Sequence, residues 1–104
     1  MKRGEIWWAV LPKPAGRRPV VLLSRDEAYQ VRDLVTVAPI TTRIRNLPVE
    51  VPLGRSEGLH RSCVVNLDTV TKIPKKSLSV RVCALPYSKM RALDDALRFS
   101  LRLG

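Results

Sequence analysis

Histidine occurs once in this chain, at His60, and cysteine only twice, at Cys63 and Cys83. A lone histidine and two cysteines without ligand spacing leave no signature of a metal centre. The two thiols are expected to be small core residues of a reducing compartment. Long apolar runs are missing too: Ile6 to Leu11 is six residues behind Glu5, too short for a bilayer span or a signal-peptide core. A cytoplasmic protein with no membrane partner is expected. There is also no glycine-rich phosphate loop, no paired carboxylates at useful spacing and no nucleophile elbow. Any enzymatic chemistry is therefore expected to run without metal or cofactor. Without repeats or linkers, 104 residues at 45% apolar content make one domain, 1–104, with one core.

Acidic residues are the other scarce class. Nine Asp and Glu face nineteen Lys and Arg, a formal charge of +10, so the natural partner is a polyanion. Nucleic acid is the first candidate and an acidic protein segment the second.

The pattern that remains is mostly β. Glu5 to Leu11 alternates, with Ile6, Trp8 and Val10 on one side. Pro19 to Ser24 and Leu34 to Ile40 are continuous apolar runs rich in β-branched residues, which favours buried strands, and Asp26 to Gln30 between them suits one helical turn. Val49 to Leu53, Ser62 to Leu67, Thr69 to Ile73 and Val80 to Leu85 bring the count to about seven short strands, the signature of a small barrel or two packed sheets. The period changes after Pro86, where Met90, Leu93, Leu97 and Leu101 recur at helical spacing. Asp94 and Arg98 are placed for an i to i+4 pair. A second strip, Ala92, Ala96, Phe99 and Leu103, is expected to meet either a second copy of the chain or the chain's own N-terminal strand.

Two segments combine strand character with groups able to contact phosphate. In Arg17-Arg18-Pro19-Val20-Val21-Leu22-Leu23-Ser24, Arg18 precedes a proline, which biases its backbone to extended conformations. In Val37-Ala38-Pro39-Ile40-Thr41, a threonine hydroxyl follows a proline by two positions. The prolines are expected to mark where the strands stop. Lys13 and Arg17 flank the loop between the first two strands, and Arg43 and Arg45 follow Thr41; these are candidates to line a nucleic-acid backbone path. Ser24 is a candidate for phosphate or base contact, or for capping the next turn. Trp8 is expected in the core. His60 is expected to be a solvated loop residue, with a general base as its alternative.

Five pieces in order, Arg3-Gly4-Glu5-Ile6-Trp7, Arg18-Pro19-Val20-Val21, Val37-Ala38-Pro39-Ile40-Thr41, Leu67-Asp68-Thr69-Val70-Thr71-Lys72-Ile73 and Leu93-Asp94-Asp95-Ala96-Leu97-Arg98-Phe99-Ser100-Leu101, resemble the MazF/PemK family of toxin endoribonucleases. The resemblance implies a mainly β fold, an SH3-like small barrel with a C-terminal α-helix, assembled as a homodimer. It implies metal-independent cleavage of single-stranded mRNA, leaving 2',3'-cyclic phosphate and 5'-hydroxyl ends, and inhibition by a cognate acidic antitoxin. The family's catalytic arginine and threonine fall on Arg18 and Thr41. A guanidinium suits a phosphorane's charge, and a hydroxyl can donate to a phosphate oxygen. The loop Lys13-Pro14-Ala15-Gly16-Arg17 is shorter than in relatives, which makes substrate selection the least transferable property. Arg25 stands where relatives often carry asparagine, and Pro86 where many carry a helix-capping serine. Two other classes stay open: a noncatalytic RNA-binding barrel, and a gyrase inhibitor of the CcdB-like group. The latter relies on a C-terminal tryptophan, whereas this chain closes on Phe99-Ser100-Leu101-Arg102-Leu103-Gly104.

Overall fold

In the computed structural model, which describes residues 1–103, short strands curl into a half-barrel closed by one long helix. The strands are β1 (Glu5–Val10), β2 (Arg17–Leu22), β3 (Leu34–Thr41), β4 (Glu50–Leu53), β5 (Cys63–Asn66), β6 (Thr71–Pro74) and β7 (Leu78–Ala84). A single turn of helix, α1 (Ala28–Val31), separates β2 from β3, and α2 (Tyr87–Leu101) ends the chain. The sheet runs β4-β5-β3-β2-β1-β7, with β6 pairing the first half of β3, and every pairing is antiparallel.

Both faces of this sheet are covered. On one face Ile6, Val21, Ala38, Ile40, Val51 and Val65 pack beneath α2, whose Leu93 and Ala96 are buried. On the other, Ala9, Val20, Leu22, Val35 and Val37 pack with Tyr29, Ile73 and Leu78. Burial of this kind contributes about 25 cal/mol per Å2 of apolar surface, which makes these two clusters the main source of stability.

Covering both faces explains a departure in β1. The expected stripe of Ile6, Trp8 and Val10 is not the one buried side: Ile6 and Ala9 are fully buried, on opposite faces, while Val10 is 56% exposed. The side chains still alternate, Ile6 and Trp8 toward one face and Trp7 and Ala9 toward the other, and the two register shifts against β7 each place the extra residue on β7. Trp8 is only half-buried, and Trp7 packs on the second cluster while its Nε1 donates to Glu5 Oε1 at 3.0 Å.

The N-terminus is tied down at several points. Glu5 is nearly buried and accepts from Lys2 N at 2.9 Å and from Arg81 Nε at 2.7 Å. Gly4 has φ +89° and abuts the Met90 side chain, so a β-carbon there would be both strained and obstructed. Arg3 donates to Asp94 Oδ1 at 2.7 Å, which takes Asp94 away from the expected Arg98 pair; Arg98 instead lies 3.4 Å from Asp95.

In α2 the second apolar strip divides. Ala92 and Ala96 pack into the chain's own core, whereas Phe99 and Leu103 are 61% and 60% exposed, as is Leu101 at the end of the first strip, at 57%. Ser100 Oγ nevertheless lies 2.9 Å from Leu67 O, holding this last turn to the β5–β6 connection. No helix among the described residues is long and apolar enough to cross a membrane.

Candidate functional site

The prolines mark a parting between strands, though not their ends. Pro19 lies inside β2, opposite Trp8 of β1, and Pro39 lies inside β3, opposite Val20 of β2. Val20 and Pro39 are the last pair of the β2–β3 ladder; from Ile40 onward β3 is held by β5, through Ile40 with Val65 and Thr41 with Val64. A proline has no backbone donor, so one in each strand removes the bonds that would carry the ladder further. The same register, continued, would set Arg18 opposite Thr41. Instead the strands separate and the two side chains border an open cleft of about 250 Å3.

Around this cleft the sheet and the loop after β3 bring together a basic, hydrogen-bonding set. Arg18 of β2, Pro39 and Thr41 of β3, Glu50 of β4 and Asn66 of β5 line it, together with Thr69 and, from the loop after β3, Arg43 and Arg45. The arginines are exposed, and Thr41, Glu50 and Asn66 are half-buried.

Internal bonds orient several of these groups. Arg18 Nε donates to Ala15 O at 3.0 Å, which uses one of five N–H donors and leaves the terminal nitrogens for a ligand. Thr41 Oγ1 accepts from Arg43 N at 3.1 Å, so its own proton remains available for donation into the cleft. Asn66 Oδ1 accepts from Asp68 N at 2.8 Å, shaping the turn that presents Thr69.

Of the residues expected to meet RNA, Arg18, Thr41, Arg43 and Arg45 share this cleft, while Lys13, Arg17 and Ser24 do not line it. Lys13 is exposed in the β1–β2 loop. Arg17 alternates to the opposite face from Arg18 and stacks on Trp8, 4.1 Å from the ring centroid. Ser24 Oγ accepts from Thr36 N at 2.8 Å and borders a separate cavity of about 500 Å3 with Arg25, Arg32, Asp33 and Lys72. His60 also lies elsewhere, in a groove with Trp8, Pro19, Ile40 and Arg61 on the face opposite Arg18. Glu50, Asn66 and Thr69 were not expected. The polar residue at position 50 between Val49 and Val51 marks a strand with one open face, but nothing local says that this face adjoins Thr41.

Neither thiol lies in the cleft. Cys63 is buried and Cys83 half-buried; burial first, and then the nearby Glu57 carboxylate, pushes both thiols above their usual range.

Comparisons with known proteins agree with this architecture. Residues 2–101 match the family described as PemK-like, MazF-like toxin of type II toxin-antitoxin system. The chain is 42% identical over 100 residues to the probable endoribonuclease MazF5 of Mycobacterium tuberculosis (strain ATCC 25618 / H37Rv), covering 95% of this chain and 91% of that protein. The solved structure of Mycobacterium tuberculosis toxin MazF-mt6 superposes with a TM-score of 0.89 at 35% identity, covering 96% of this chain and 98% of that one. A MazE-MazF crystal structure from Deinococcus radiodurans superposes with a TM-score of 0.81 at 25% identity, covering 99% and 97%.

Proposed function

The chain belongs to the PemK-like, MazF-like toxin family of type II toxin-antitoxin systems, and on that premise we propose that its cleft cuts single-stranded mRNA, with Arg18 and Thr41 as the catalytic pair. The observation that carries the reading is the parting of β2 from β3, which leaves a guanidinium and a hydroxyl lining the same basic cleft. The relatives named as endoribonucleases support the activity, and the +10 charge suits the substrate.

The chemistry can be written with the chain, its RNA and water. The substrate's own 2'-oxygen bonds to the adjacent phosphorus, the P–O5' bond breaks, and the 2'-hydroxyl proton passes to water. The departing 5'-oxygen takes a proton from solvent, leaving a 2',3'-cyclic phosphate on one fragment and a 5'-hydroxyl on the other. Charge gathers on the phosphorane oxygens, where the free nitrogens of Arg18 and the hydroxyl of Thr41 act as donors already held in place. Such pre-set donors are typically worth about 100- to 1000-fold in rate each.

The partners follow from the surface. Phe99, Leu101 and Leu103 expose an apolar end of α2 suited to a second copy of the chain, giving a homodimer. An acidic antitoxin segment competes for the same basic surface, consistent with the MazE-MazF assembly of the Deinococcus relative. The toxin acts in the cytoplasm, where its mRNA is found.

Incubating the purified protein with long single-stranded RNAs in excess chelator, then mapping fragment ends, tests the reading. Cyclic phosphate and 5'-hydroxyl ends at recurring sites are the expected result. RNA left intact across varied sequences would overturn it.

A further inference from the structure

Glu50 is the carboxylate of the basic cleft, and it forms no ion pair among the described residues. It opens β4 opposite Asn66 of β5, so its side chain rises on the cleft face while that of Val51 enters the core. Both oxygens are engaged by backbone. Oε1 accepts from Arg45 N at 3.0 Å and from Leu47 N at 3.3 Å, and Oε2 lies 3.3 Å from Arg45 N.

Between those two amides stands Asn46 at φ 58°, a left-handed conformation that is uncommon outside glycine. Two N–H groups flanking a left-handed residue and converging on one carboxylate oxygen make a backbone anion nest, filled here by the chain's own side chain. The other end of the same loop is held where Arg43 N donates to Thr41 Oγ1. The segment carrying Arg43 and Arg45 is thus pinned by two side chains that both face the cleft.

We infer that Glu50 is a positioning residue: by filling the nest at 45–47 it fixes where Arg43 and Arg45 stand, and so sets how RNA is held and at which sites it is cut. The inference rests on the RNA-cleavage reading for its consequence, but its physical core is the ordering of a loop. The charge matters less than the acceptor. A glutamine keeps one carbonyl oxygen for both amides, whereas an alanine leaves both without a partner.

Steady-state cleavage of a long single-stranded RNA by the full chain, in the variants Glu50→Ala and Glu50→Gln, tests this. Glu50→Ala is expected to raise KM about tenfold, change kcat less than about threefold and redistribute the cleavage sites, while Glu50→Gln restores KM to within about threefold. In an Arg43→Ala/Arg45→Ala background, adding Glu50→Ala should change KM by less than about twofold, since the carboxylate acts through those arginines. Hydrogen exchange at the Arg45 and Leu47 amides is expected to accelerate in Glu50→Ala even if wild type cuts no RNA, so failure of the nuclease reading and failure of this one are distinguishable. If Glu50→Ala does not fold, Glu50→Asp, whose carboxylate is drawn back by one methylene, is measured in the same way. Unchanged exchange at both amides, or a full Glu50→Ala effect persisting without the two arginines, would overturn the inference.

Discussion

Arg17 and Arg18 are sequence neighbours whose guanidinium groups serve opposite faces of β2: Arg17 stacks on Trp8 at 4.1 Å, and Arg18 borders the cleft with Thr41. The pair makes a controlled contrast within one dipeptide. Arg18→Ala is expected to lower kcat/KM on single-stranded RNA by about 100- to 1000-fold with little change in folding stability. Arg17→Ala should cost about 0.5–1 kcal/mol of stability, read from the denaturant midpoint, and should affect cleavage far less. Equal losses of cleavage in the two variants would contradict the assignment of faces.

Thr41 offers a test of the hydroxyl itself. Thr41→Val keeps the β-branched shape that suits the end of β3 but removes the donor, and a loss of about 100-fold in kcat is expected. Thr41→Ser retains the hydroxyl and should recover most of that loss. Parallel fragment-end mapping of the two variants checks both, and a Thr41→Val enzyme as fast as wild type would exclude the donor role.

Salt dependence counts the phosphate contacts. If Arg18, Arg43 and Arg45 each neutralise one phosphate of a single strand, log K for RNA binding should fall against log salt with a slope of about −2. Arg43→Ala should make that slope shallower by about 0.7, because one contact is gone. Binding measured from low to moderate ionic strength gives the slope directly. A flat dependence would rule out phosphate contact by these arginines.

Glu5 links stability to pH. Burial raises its pKa, but hydrogen bonds from Trp7, Arg81 and the Lys2 amide, with the charge of Arg81, more than offset this and hold it below the ordinary carboxylate value. A depressed folded pKa means that the stabilisation is present above the unfolded value of about 4.3 and disappears as pH falls through the lower folded one. Thermal unfolding followed from pH 7 downward should therefore show Tm falling from about pH 4.3 toward lower values, with a shallower fall in Glu5→Gln. Identical profiles for the two proteins would remove Glu5 from the account.

Much of this fold is visible in the residue pattern because its strands are short apolar runs punctuated by glycine and proline. All seven strands and both helices lie within a few residues of where periodicity places them, and the barrel with its C-terminal helix matches the MazF-like structures. β2 begins earlier than its apolar run, since Arg17 and Arg18 pair with Val10 and Ala9 despite being charged and exposed. The faces of β1 were hidden for a different reason. A central strand covered on both sides buries Ile6 on one face and Ala9 on the other, so alternation of polar with apolar residues does not mark a single inward side.

At the cleft, Arg18, Thr41, Arg43 and Arg45 could be picked out because each lies beside a proline-marked strand or follows one closely. Glu50, Asn66 and Thr69 could not, because they reach Thr41 only through the pairings of Thr41 with Val64 and of Glu50 with Asn66, which join segments far apart in the chain. Ser24 illustrates the opposite limit: a polar strand end looks the same whether its hydroxyl meets a ligand or, as here, the Thr36 amide.

The position of β1 between β2 and β7 has a consequence for the timing of synthesis. Ile6 receives its β7 neighbour, Cys83, only after residue 83 has left the ribosome, and Leu93 and Ala96 of α2 cover the same cluster later still. The strands that border the cleft lie between residues 17 and 66 and emerge well before that. A growing chain therefore carries Arg18 and Thr41 on a sheet whose far edge is still open, and the long closure from residue 6 to residue 83 stands between translation and a finished toxin.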